Sequence, residues 1–311
     1  MSFIIKALGF LGHHATRALG LGVLIGLVFP RLADFVRPFL LPGLVIPLTI
    51  ALMRLDWRSM LDYGRRPLLV GTLAAWMLLA SPVLMAGVLW LTSLPIPLKT
   101  ALVLMAAAPP IVSSAALGLI LGLDAPLIVV VTVVSTALVP LTLPPMALWL
   151  LGLKLQIGLF DLMGRLAGIV GFAFLAAFAL RRLVPAGWIA DHGKELDGVT
   201  VLTMVLFAIA IMAGVTDAAI ARPGYIALVT VVAFVANLAL QAVAAGVFAP
   251  LGRREALSIG LMSGNCNMGL VLVTVADKAE FAVVVFFALA QIPMYMLPAL
   301  LLPVYRRLIA R

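Results

Sequence analysis

Apolar runs of near-bilayer length follow one another along almost the whole chain, separated by short clusters of Arg, Asp, Pro and Gly. They predict helices at about 15–30, 36–53, 68–91, 98–121, 126–151, 158–181, 198–216, 225–249, 256–276 and 281–305. About 20 apolar residues cross the hydrocarbon core as a helix, so the pattern predicts ten crossings. Two of these runs are interrupted at their centres. Residues 258–276, SIGLMSGNCNMGLVLVTVA, place Ser263, Gly264, Asn265, Cys266, Asn267 and Gly269 in mid-span. Residues 105–118, MAAAPPIVSSAALG, place Pro109-Pro110 and Ser113-Ser114 there.

A helix in lipid satisfies its own backbone, so polar and Gly residues at mid-depth need a reason. The Pro pair removes two backbone donors and clashes with the preceding turn, which should break the fourth helix. One reading makes both spans discontinuous helices whose unwound turns line a site near the bilayer midplane. The plainer reading is a kink healed by Ser113 and Ser114, with Asn side chains and small residues gluing ordinary helices together.

The two interruptions correspond in position. A shift of 154 residues places Ser113 on Asn267, Val129-Val130-Val131 on Val283-Val284-Val285, and Leu143-Pro144 on Leu297-Pro298. The chain therefore divides into a first five-helix repeat, 1–155, with its broken helix at about 98–121. The second repeat is 156–311, with its broken helix at about 256–276. Five is odd, so the second copy must lie inverted in the membrane. Matching interrupted segments in inverted halves are a mark of secondary-transporter sites.

Composition agrees with the pattern. The chain has 311 residues, 65% hydrophobic and 11% charged, with mean hydropathy +1.24. No soluble domain hides that much apolar surface, and ten spans leave no length for one. The net charge of +9 needs no nucleic acid. With both termini in the cytoplasm, about two thirds of the 21 basic residues fall on the inner face, as the positive-inside rule requires; Arg31 and Arg37 are exceptions. The expected location is thus the cytoplasmic (inner) membrane. The first apolar run ends in Phe29-Pro30-Arg31 rather than a small-residue cleavage site, so it is read as the first span. Its Gly20, Gly22 and Gly26 suit close helix packing. Cys266 is the single cysteine, which rules out an internal disulfide. Trp57, Trp90 and Trp149 fall near span ends, as interfacial anchors do. The polar interval 181–198 splits the chain near its middle, and His13, His14 and His192 lie outside the spans.

Crossed breaks would gather Pro110, Ser113, Ser114, Ser263, Asn265, Cys266 and Asn267. Half-helix N-termini favour an anionic group there, and unwound carbonyls with hydroxyls favour a small cation. Thr132, Ser135 and Thr136 lie on the next helix, Asn237 and Gln241 share a face of the eighth, and Gln291 sits in the tenth. Each alone is a weak signal, because a lone Ser or Thr in a membrane helix usually bonds its own backbone. No Ser-His-Asp set, metal-ligand cluster, phosphate loop or buried acid pair is present, so no enzyme is predicted.

APPIVSSAALGLILGLDAPLIVVVTVVST followed by SGNCNMGLVLV resembles the two crossing helices of the bile acid:sodium symporter family, in its bacterial-type ten-helix form. The resemblance covers essentially the whole chain. It implies an all-α polytopic membrane protein with a panel of spans 1, 2, 6 and 7 beside a core of spans 3–5 and 8–10. It also implies alternating access, with sodium behind the crossover and an organic anion in the crevice. The family's sodium-site motifs are degraded here. Its fourth-span Ser-Asn reads Ser113-Ser114, its third-span Gln falls on Ala75, and its ninth-span Glu and Gln fall on Met262 and Cys266. Ser113, Thr132, Ser135, Thr136 and Asn267 are retained. The candidates are thus Ser113, Ser114, Thr132, Ser135 and Asn267 for sodium, and, from the breaks and the buried polar positions, Pro110, Ser113, Ser114, Asn237, Gln241, Asn265, Cys266, Asn267 and Gln291 for substrate.

The expectation is a secondary transporter of a small, anionic metabolite, with no cofactor beyond sodium and with one chain sufficient, since it holds both repeats. Burying a cation needs ligand charge or many oxygens, so sodium coupling stays open. Three alternatives stand beside it: an uncoupled facilitator of the same fold, an arsenite-type efflux permease, whose Gly-Asn-Asn stretch SGNCN resembles, and a non-transporting receptor or scaffold.

Overall fold

The computed structural model of the chain describes residues 8–12, 15–55, 62–63, 65–151, 158–275 and 279–310. His13, His14 and Trp57 lie outside them. Every regular element described is helical.

Prolines and glycines set the boundaries. Helix α1, Ala15–Val28, stops just before Pro30, which opens the short α2, Pro30–Phe35. A 3-10 turn at Arg37–Phe39 leads to α3, Leu40–Met53, which accommodates Pro47 within it. The third span is α4, Pro67–Ala75, then a π turn, Trp76–Ala80, then α5, Ser81–Trp90. Pro82 has no N–H to give the carbonyl one turn back, and the π turn before it absorbs the missing bond.

The fourth span is broken as predicted. Helix α6, Ile96–Ala107, ends because Ala108 precedes a proline and turns extended (φ −75°, ψ 146°). Helix α7, Ser114–Leu121, follows and closes on Gly122 in the left-handed region (φ 76°). There the Leu123 N–H reaches the Gly118 carbonyl at 2.8 Å and Gly122 N–H reaches Leu119 at 3.2 Å, a Schellman ending. Helix α8, Ala125–Leu151, is capped by Asp124, whose Oδ1 accepts the Leu127 N–H at 3.0 Å.

Helix α9, Leu159–Leu183, is followed by α10, Ala186–Asp191, and α11, Gly193–Ala210. The polar interval expected at 181–198 is therefore mostly helical, with Glu195 in the first turn of α11 where the dipole favours an acid. A turn at Gly214 separates α11 from α12, Val215–Ala221, and α13 runs Pro223–Val247. The ninth span is also broken, into α14, Arg253–Gly264, and α15, Met268–Val275. Helix α16, Phe281–Leu289, and α17, Gln291–Ala310, complete the chain. Among the described residues, six segments are long and apolar enough to cross a membrane: Pro67–Trp90, Ala125–Leu151, Leu159–Leu183, Gly193–Ala221, Pro223–Val247 and Phe281–Ala310. Ala18–Val28, Arg37–Met53 and Ile96–Ala107 are shorter apolar helices, so this is a multi-pass membrane protein. Trp90 and Trp149 are 88% and 70% exposed, on the outer surface where anchors belong.

The chain sorts into two compact units. One comprises Met1–Leu55 and Ile169–Leu228, the other Asp56–Gly168 and Val229–Arg311. In the first, α11 packs on α1 and α3 through glycines. A Cβ at Gly26 would lie 2.7 Å from the Ile209 carbonyl oxygen, and one at Gly43 would lie 2.7 Å from Phe207 Cβ. Gly22 sits similarly close to Val205, whereas Gly20 has nothing within 4 Å. Backbones approach this closely in lipid because packing, not the hydrophobic effect, holds helices together. Arg181 caps α3 by donating to the Met53 and Leu55 carbonyls at 2.7 and 2.9 Å, and Arg54 pairs with Asp197.

In the second unit α8 is central, touching α4, α6, α7 and α14. A polar latch joins the loop after α7 to the start of α14. Tyr63 donates to Asp124 Oδ2 at 2.7 Å, the Asp124 N–H donates to Ser258 Oγ at 2.9 Å, and Arg254 donates to the Leu123 carbonyl at 3.2 Å.

Gly26→Val should overpack the α1–α11 contact and cost about 1–3 kcal/mol, read as a fall in thermal stability of the detergent-solubilised protein. Gly20→Val should leave stability unchanged. Burial first, and the Asp124 hydrogen bond second, push the Tyr63 phenol from 10.0 up to about 12. A raised phenol favours the fold while neutral, so its contribution is whole below about pH 10 and is lost as pH rises through about 12. Tyr63→Phe should remove that part of the alkaline loss in unfolding curves taken from pH 8 upward.

Candidate functional site at the crossing of two broken helices

The two breaks are bonded to each other. Ile111 N–H donates to the Asn265 carbonyl at 2.8 Å, and Asn267 N–H donates to the Pro109 carbonyl at 2.7 Å. Pro110 and Cys266 thus form an antiparallel bridge, the only isolated β pairing among the described residues. Pro110, Asn265, Cys266 and Asn267 are buried, Ser114 is fully so, and Ser113 is half-buried at the head of α7. Each break spends on the other the donor that its own helix can no longer use.

The remaining carbonyls of the second break find partners nearby. The Leu261 carbonyl accepts the Asn265 N–H and its Nδ2, and the Ser263 carbonyl accepts the Cys266 thiol at 3.1 Å. Asn267 Oδ1 accepts the Leu270 N–H at 3.1 Å and so caps α15. The Gly264 carbonyl accepts Asn237 Nδ2 at 2.7 Å. Behind it Gln241 Nε2 donates to Asn237 Oδ1 at 2.6 Å, and the Tyr305 hydroxyl donates to Gln241 Oε1 at 2.7 Å. This relay fits because α14 presents Gly260 and Gly264 to α13; a Cβ at Gly264 would lie 2.5 Å from Gln241 Cγ. Asn237 and Gln241, predicted to meet substrate, are occupied in holding the break. Gln291 Nε2 donates to the Phe287 carbonyl at 3.2 Å, beside the joint between α16 and α17.

Sequence reading missed Trp76, whose Nε1 donates to Ser263 Oγ at 3.0 Å and whose ring meets Phe248 edge-on. It also missed Tyr305. The π turn that aims Trp76 inward leaves one trace in the sequence, Pro82 in mid-span.

The first break is less fully satisfied. The Ala106 carbonyl cannot receive an N–H from residue 110, a proline, and the Ile111 N–H that would serve Ala107 goes to Asn265. Five buried polar atoms have no hydrogen-bond partner: Ser114 Oγ and Asn265 Oδ1 at the two breaks, and Thr132 Oγ1, Ser135 Oγ and Thr136 Oγ1 on α8, which packs against α6, α7 and α14. Other hydroxyls in this chain bond the carbonyl four residues back, among them Thr142, Thr200, Thr203, Ser258, Ser263 and Thr274. Thr132, Ser135 and Thr136 do not, although they sit in a regular helix and share one face of it. Buried polar atoms without partners are rare in proteins, which makes these five the candidates for binding an ion or water.

A sequence model of the sodium bile acid symporter family matches residues 41–222, more than half the chain. The chain belongs to that family. Membership makes it a membrane-embedded transporter of the symporter type with a small-molecule substrate. The matched range includes the first break, α8 and its hydroxyls; the second break lies beyond it. No curated protein matches the chain.

Sodium is the ion in the family's name. Hydroxyl and amide oxygens suit a hard monovalent cation, and five stand without partners. Met262, fully buried, and Cys266 stand where the resemblance places an acid and an amide, so this chain supplies no charge at those two positions.

Asn237→Leu should leave the Gly264 carbonyl and Gln241 Nε2 unpaired and destabilise the protein by about 1–3 kcal/mol per orphaned group. Tyr305→Phe should cost less, since only Gln241 Oε1 loses a donor. Thermal unfolding of the two variants side by side checks the order.

Proposed function

We propose that the chain is a secondary transporter that moves a small organic anion across the cytoplasmic membrane by alternating access, with a monovalent cation bound at the hydroxyl cluster. The reading is carried by the paired breaks, bonded to each other, with buried oxygens that have no partner on both breaks and on α8, which packs against them. Non-helical backbone at membrane depth is tolerated where it lines a cavity. The first turns of α7 and α15 both lie at the crossing, and their N–H groups favour an anionic head group. Pro110, Ser113, Ser114, Asn265, Cys266 and Asn267 are the substrate candidates. Asn237, Gln241 and Gln291 shape the site from behind. Ser114, Thr132, Ser135, Thr136 and Asn265 offer the cation its oxygens, with Ser113 and Asn267 alongside.

Two inverted five-helix repeats account for the element lengths. Each broken span has halves of 12 and 8 residues. The spans before them begin 156 residues apart, at Pro67 and Pro223. An odd number of spans per repeat inverts the second and puts both termini on one side, the cytoplasmic side by the distribution of Arg and Lys. The division into one unit with spans 1, 2, 6 and 7 and another with the broken helices supports a static panel and a site-bearing core.

An uncoupled facilitator is favoured by one observation: no Asp or Glu is buried among the described residues.

The test is uptake of labelled organic anions, small carboxylates and taurocholate, into proteoliposomes with and without a sodium gradient. Ser114→Ala and Asn265→Ala should each lower uptake roughly tenfold or more, the scale of losing a hydrogen bond or ion contact to a charged group. Leu175→Ala, on an exposed face of α9, should not. Uptake unchanged in the first two would remove the crossing from the substrate path, and sodium-independent uptake would select the facilitator.

A further inference from the structure

Two carbonyls of α14 lose their helical donors at the second break. The Asn267 N–H that would serve Ser263 goes to Pro109, and the Met268 N–H that would serve Gly264 goes to the Cys266 carbonyl at 2.9 Å. Asn237 Nδ2 takes up the Gly264 carbonyl. The Ser263 carbonyl is left with the Cys266 thiol, a weak donor. Ser263 is fixed instead through its side chain. Its Oγ donates to the Ile259 carbonyl at 2.9 Å, accepts the Trp76 indole N–H at 3.0 Å and lies 3.5 Å from Met77 Sδ. Trp76 and Met77 open the π turn of the third span, so both residues converge on one hydroxyl of another span. Such turns are rare and cluster at functional sites. This one packs on α6, which leads into the first break, and on α8. The indole also stands edge-on to Phe248, with ring centres 5.3 Å apart, which fixes the direction of its N–H. A buried indole needs some acceptor; the one it takes is the last residue but one of α14.

We infer that Trp76 is a positioning residue of the transport site: its N–H bond to Ser263 Oγ, aimed by the π turn, holds the last turn of α14 and so keeps the second break paired with the first. This rests on the crossing being the site proposed above, and it adds the third span as an element that sets the geometry of the break. Two elements then grip the second break. Asn237, from α13, holds the Gly264 carbonyl, and Trp76, from the third span, holds Ser263. Where the second grip slackens, the Ser263 carbonyl parts from the thiol and Cys266 becomes reachable. With the grip in place Cys266 is 3% exposed, and it is the single cysteine of the chain, so its reactivity reports on this one point.

The probe is N-ethylmaleimide, with the rate of Cys266 labelling in the full-length protein as readout, well below the thermal unfolding midpoint of each variant so that local opening is what is measured. Trp76→Phe keeps a ring against Phe248 and removes only the N–H. It should speed labelling by about fivefold, the change in open population that loss of one hydrogen bond brings. Ser263→Ala removes the acceptor and should do the same, and it carries the test alone should the Trp76 variant fail to fold. The double variant should label no faster than either single one, because both remove one bond. Ser263→Thr keeps the hydroxyl and should stay at the wild-type rate, as should Trp90→Phe on the exposed surface. Labelling unchanged in Trp76→Phe and Ser263→Ala, or effects that add in the double variant, would sink the inference. A lower unfolding midpoint with labelling unchanged would make Trp76 a packing residue only, which overturns it as well. None of these outcomes bears on Ser114→Ala and Asn265→Ala, whose uptake decides the transporter reading separately.

Discussion

Lipid offers no hydrogen bonds, and the architecture of the second unit follows from that. A helix interrupted at mid-depth exposes donors and acceptors that must be met within the protein, at a cost of several kcal/mol for each one left bare. Two interruptions can meet each other. The Ile111–Asn265 and Asn267–Pro109 bonds do this with backbone alone, which makes each break a condition for the other. The polar side chains around the second break then have a plain explanation: Asn237, Gln241 and Tyr305 form a line of amides and a phenol that ends on the Gly264 carbonyl. Gly260 and Gly264 allow that line to approach, since a side chain at either would strike α13.

Against that background of satisfied groups, the hydroxyls of α8 stand apart. A Thr or Ser in a membrane helix has an inexpensive solution, the carbonyl four residues back, and this chain uses it repeatedly. Thr132, Ser135 and Thr136 forgo it while being buried, the last two completely. The contrast within one chain argues for a ligand more strongly than burial alone, because it shows what these residues do where no ligand is required. Polarity by itself does not mark the site. Asn237 and Gln241 are as polar and as buried, and they are structural.

That distinction was hidden in the sequence. The breaks were legible because Pro109-Pro110 and the Gly-Asn run are backbone signals, and backbone rules act locally. The glycines of α1 were legible as packing positions in part: Gly22 and Gly26 face α11 and Gly20 does not, which depends on helix phase rather than on composition. Whether an amide faces a substrate or a carbonyl depends on which helix lies opposite, and nothing near Asn237 encodes Tyr305, 68 positions along the chain. The π turn at Trp76–Ala80 shifts the face of the third span by part of a turn and delivers an indole that hydropathy had assigned to nothing. The polar stretch at 181–198, legible only as an interval between spans, is mostly helical, and its charges sit at helix ends.

Membership in the sodium bile acid symporter family makes the chain a transporter, but its own residues decide what chemistry the crossing can offer. A carboxylate in the cage would hold a cation whether or not an anion was present. Met262 and Cys266, both buried, provide no such charge. Under the proposed function the five neutral oxygens would have to supply by number what a carboxylate supplies by charge, since burying a cation needs one or the other.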